Sequence, residues 1–119
     1  MSILLYKGVV NMRYDVPTGL IIGAALSKKF GRITNSDLVD IKISIRENAP
    51  RYYVNFSRDS IYSEIEANSD CFIFEHDQIR LNDFYMENMG RVKRYFYDVL
   101  DEEVRNAIDT ALLKGNVMA

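Results

Sequence analysis

Five helix-start signals divide this chain into short segments. Each is a small polar residue ahead of a run that mixes apolar and polar residues: Asp15, Thr34, Ser57, Asp83 and Asp101. Helices this short are marginal alone, so they must pack on one another around a shared core. A length of 119 residues fits one domain, expected to span 1–119. With 48% hydrophobic and 27% charged residues, the chain has the balance of a soluble globular protein rather than a disordered one.

Residues 1–15 read as an extended N-terminal arm, apolar at Leu4, Leu5, Tyr6, Val9 and Val10. Pro17 suits a first helical turn, and Leu20, Ile21, Ala24, Leu26 and Phe30 give the following helix an apolar face ending at Gly31. Thr34 or Asn35 caps a second start. The segment behind it is ambiguous, because Val39, Ile41, Ile43 and Ile45 alternate with polar residues at a strand period. It is either a helix or the first strand of a hairpin with 51–56 across Glu47–Pro50. Ser57 caps a short helix to Ala67 with Ile61, Tyr62 and Ile65 inward. A two-stranded hairpin over 71–82 turns at His76-Asp77 and shares Phe72, Phe74, Ile79 and Leu81 on one face. Two helices follow, over 84–99 and 102–114, the second with Val104, Ile108, Ala111 and Leu112 inward and Gly115 as its stop.

The order helix, helix, short helix, two-stranded wing is that of winged helix-turn-helix domains. Arg58 to Ile65, Phe72-Ile73-Phe74 and Ile79-Arg80-Leu81 resemble the HARE-HTH family, which includes the amino-terminal domain of the RNA polymerase delta subunit. The resemblance covers about residues 17–85. It implies a small α+β winged-helix-like core over 16–83 carrying C-terminal helices over 84–115, and a role in transcription or DNA interaction. It transfers no contact residue.

Charge is separated along the chain. From Lys28 to Arg58 seven basic residues face three acidic ones, and from Asp59 to Glu87 eight acidic residues face one arginine. Clustered cations attract phosphate. Lys28, Lys29, Arg32, Lys42, Arg46, Arg51 and Arg58 are therefore the expected phosphate contacts, with Tyr52 and Asn55 near bases. The first functional expectation is a non-catalytic DNA-binding regulator of transcription acting on double-stranded DNA. The alternative is a protein-interaction module with an acidic face of Glu64, Glu66, Glu75 and Asp77. Such a face could serve a polymerase accessory factor docking on an RNA polymerase-like partner, or a small mobile-element inhibitor of a nucleic-acid enzyme. Tyr85, Met89, Val92, Phe96 and Val99 repeat at spacings of four and three; they serve either as remaining core or as the seam of a homodimer.

The residues for catalysis do not assemble in the sequence. The one histidine, His76, falls in a turn, and one cysteine, Cys71, excludes an intramolecular disulfide. One Cys and one His give no zinc-ligand spacing, so neither metal nor cofactor is expected, and the chain is not expected to be an enzyme. The longest apolar run, Leu20 to Leu26, is too short to span a bilayer. A basic leader before an apolar core and cleavage site is also missing, which predicts a cytoplasmic protein.

Overall fold

Thr34 and Asp37 settle the ambiguous segment. The Thr34 hydroxyl accepts a hydrogen bond from the Asp37 backbone N–H at 3.2 Å, and the Asp37 carboxylate accepts one from the Thr34 N–H at 2.9 Å. This reciprocal cap opens α2, Asn35–Asn48. Helical turns then sort the alternating residues three-dimensionally. Leu38, Ile41 and Ile45 go into the core, and Ser44 beside them donates to the Ala107 carbonyl at 2.7 Å. Val39 and Ile43 face outward at 54% and 42% exposure. The expected hairpin partner instead holds a separate strand, β3, Tyr52–Val54.

A computed structural model describes residues 14–117 and the side chains of 15–113; the expected arm therefore lies almost wholly outside the described residues. The chain begins with β1, Tyr14–Val16, and continues through α1, Thr18–Lys28, and β2, Arg32–Thr34. After α2 come β3, Tyr52–Val54, α3, Arg58–Ala67, β4, Phe72–Glu75, and β5, Gln78–Leu81. Strands β1 and β3 pair in parallel; β2, β5 and β4 form an antiparallel sheet in that order. The expected 71–82 hairpin is present. Its two turn residues, His76 and Asp77, have φ of 52° and 62°, the left-handed pair that matches the twist of the flanking strands.

The core centres on α1, whose Ile21, Ile22, Ala24, Ala25 and Leu26 are fully buried. A helix apolar on nearly all sides is a central element. It packs against α3 and the C-terminal elements, while α2 lies on the last helix. The result is a small, compact α+β domain with one hydrophobic core cluster.

Three expectations about helix extent are corrected. Phe30 is 85% exposed instead of inward: it takes a left-handed φ of 57° just past α1, and the Gly31 N–H bonds back to the Leu26 carbonyl at 2.8 Å. The expected single helix over 84–99 is broken into α4, Asp83–Met86, α5, Met89–Val92, and a π-helical turn, Lys93–Tyr97. Asn88 interrupts it by donating its side-chain amide to the Phe84 carbonyl at 2.7 Å, and the π turn closes through the Asp98 N–H on the Lys93 carbonyl at 2.9 Å. Finally α6, Glu102–Val117, passes through Gly115 rather than stopping there.

The broken segment also shows where its apolar residues pack within the chain. Val92 is buried, and Tyr85, Met89 and Phe96 pack against the domain's own core. Val99 alone of the five stays outside, 58% exposed. Four of the five thus contribute to the domain's own core.

Candidate interaction groove

Ion pairs neutralise part of the basic block. Lys28 pairs with Asp109 at 3.6 Å, Lys29 with Asp37 at 3.4 Å, and Arg51 with Glu103 at 2.7 Å. Two of these three carboxylates come from α6, so tertiary packing neutralises cations that look free in the sequence. Arg32 sits on β2 opposite Arg80, whose guanidinium is held by Glu75 at 3.4 Å and Asp83 at 3.7 Å.

Lys42, Arg46 and Arg58 make no ion pair among the described residues. All three line one open groove of about 440 Å³ between α2, α3 and β4. Its floor is apolar: Leu38 is buried, and Phe56, Ile61 and Phe74 are half-buried. Val39, Ile43 and Tyr62 form exposed walls, and the Tyr62 ring tilts against Phe74 with centroids 5.3 Å apart. Lys42 and Arg46 also line a second hollow of about 390 Å³ with Ile45, Pro50 and Val54. The two cations therefore stand as a ridge between two apolar depressions.

The remaining expected contact residues have structural work. Tyr52 is buried and its hydroxyl donates to the Asp101 carboxylate; that bond first, and burial second, push its phenol upward. The Asn55 side chain is exposed, but its carbonyl accepts from Thr18 at 2.7 Å and Ser60 at 2.6 Å, pinning the loop before α3. Asp109, which pairs with Lys28, also accepts the Tyr97 hydroxyl at 2.7 Å. Burial and then this bond push the Tyr97 phenol up to about 12.

The acidic four do not make a continuous face. Glu64 and Glu66 lie two residues apart on α3, about 200° around a helix of ~3.6 residues per turn. Glu64 turns toward α1 and takes the Asn68 side-chain amide at 3.2 Å; Glu75 is engaged by Arg80. Asp77 sits exposed in the hairpin turn.

Sequence reasoning named the three rim cations but missed the apolar walls. The missed signal was an excess of branched residues: a helix with one buried face has no use for all of Val39, Ile41, Ile43 and Ile45. Among the described residues no three His, Cys, Asp or Glu side chains are grouped to hold a metal ion, and no helix is long and apolar enough to cross a membrane. Comparison with protein-family models, curated proteins and solved structures finds no match, so the groove is read from its own geometry.

Proposed function

We propose that this chain is a non-catalytic protein-interaction module, arranged like a winged helix-turn-helix domain, that docks its partner in the groove between α2 and α3. The observation that carries this reading is the coincidence of exposed apolar walls with the unpaired cations Lys42, Arg46 and Arg58. Exposed apolar surface rimmed by polar groups is the usual composition of a docking site. The winged arrangement is supported by the element order and by β2 joining the hairpin through β5. A polymerase accessory factor and a small inhibitor of a nucleic-acid enzyme both fall within this role.

DNA binding is the second reading, favoured by the same unpaired cations on two successive helices. Opposed to it, α3 carries Asp59 in its first turn and Glu66 on its exposed side, and carboxylates next to phosphate are repelled. Only part of the expected phosphate surface remains.

Two measurements separate the readings. Affinity capture should recover a one-to-one protein partner that Ile43→Glu releases and that Glu66→Lys with Asp77→Lys leaves bound. If Ile43→Glu leaves the partner bound, docking in this groove is refuted. Retardation of duplex DNA at roughly 50 mM salt, weakening steeply as salt rises and lost in Arg46→Glu with Arg58→Glu, would establish the second reading instead.

A further inference from the structure

The geometry points to an acidic, amphipathic peptide segment of another protein as the occupant of the groove, one whose carboxylates sit between two apolar anchors. This rests on the docking role proposed above and specifies its partner. Lys42 and Arg46 are one helical turn apart on α2 and line both hollows, so a chain lying across the groove crosses them midway. Its central residues meet two cations, and the residues on either side meet apolar pockets. Arg58 adds charge at the far rim.

The placement of Arg58 is informative on its own. It is the first residue of α3, where the helix dipole disfavours a cation, and no described carboxylate pairs with it. Such a side chain costs the fold some stability and gains its compensation from an external anion. An anionic ligand without apolar groups would satisfy the rim but leave Val39, Ile43 and Tyr62 in water at 54%, 42% and 48% exposure. A neutral apolar peptide would cover those walls and strand three charges at its edge. Only a segment carrying both chemistries complements the whole surface.

A random linear-peptide library displayed on phage and selected against the full chain supplies the probe. Enriched sequences should hold Asp or Glu flanked by Leu, Phe or other large apolar residues. Their binding should weaken with salt, and titration should move the amide resonances of Val39, Ile43 and Tyr62. Reversing Lys42→Glu with Arg46→Glu should weaken these peptides by about tenfold or more, as loss of complementary charge does. If that pair fails to fold, Arg46→Gln with Arg58→Gln, at exposed positions, replaces it. Groove-bound peptides that are neutral or basic, or acidic ones indifferent to the reversed charges, overturn the acidic assignment and leave the docking role standing. A selection in which no peptide moves the groove resonances removes both.

Discussion

A methyl group added at Gly23 would lie 2.2 Å from the Phe96 ring, closer than any real contact allows. The obstruction is the base of a packed aromatic, so relief requires the π turn to shift away from α1. Gly23→Ala should cost about 1–3 kcal/mol by overpacking, read from urea unfolding, and adding Phe96→Leu should recover part of it. Tyr97 makes a second residue-scale prediction. Its phenol, ordinarily near 10, is held up to about 12, so the fold favours the protonated form. That contribution is complete below pH 10 and drains away as pH rises through 12. Tyr97→Phe should flatten the decline of unfolding free energy between pH 10 and 12; an equally steep decline in the variant would assign the effect to other phenols. At this scale the sequence misleads about charge. Lys28 and Arg51 look like phosphate contacts because Asp109 and Glu103, which neutralise them, belong to the last helix and no local rule pairs them.

Helix α2 tests how an element chooses its period. As a helix it buries Ile41 and exposes Ile43, whereas a strand would put both on one face. Ile41→Ala should cost about 2–4 kcal/mol. Ile43→Ala should change stability by less than about 0.5 kcal/mol. Equal losses in thermal or urea melts would contradict the helical sorting. The start of α2 was legible because Thr34 and Asp37 cap it locally, and the 71–82 hairpin was legible because Phe72, Phe74, Ile79 and Leu81 alternate around a two-residue turn. The fracture of the 84–99 segment was not. Its residues repeat well enough for one helix, and the break falls at Asn88, whose side-chain amide takes the Phe84 carbonyl, a bond that periodicity does not encode. The groove was half legible for the same reason: its cations are conspicuous, but its walls depend on which side of α2 the core takes.

For the molecule as a whole, the core is built outward from α1, and the C-terminal elements close it. Four of the five residues in the apolar stripe that might have joined two copies are spent on that closure. Sedimentation of the full chain should therefore give the monomer mass of 13.8 kDa. A stable species of twice that mass would mean that another face, with Tyr95 and Val99 the nearest exposed candidates, mediates pairing. One side chain also ties the start of α2 to the end of α1. Asp37 caps α2 with one carboxylate oxygen and grips Lys29, just beyond the end of α1, with the other. It thus acts as a mechanical joint between a buried shaft and the wall a partner would press on. A load on the wall therefore reaches α1 through this carboxylate as well as through the buried Leu38, Ile41 and Ile45.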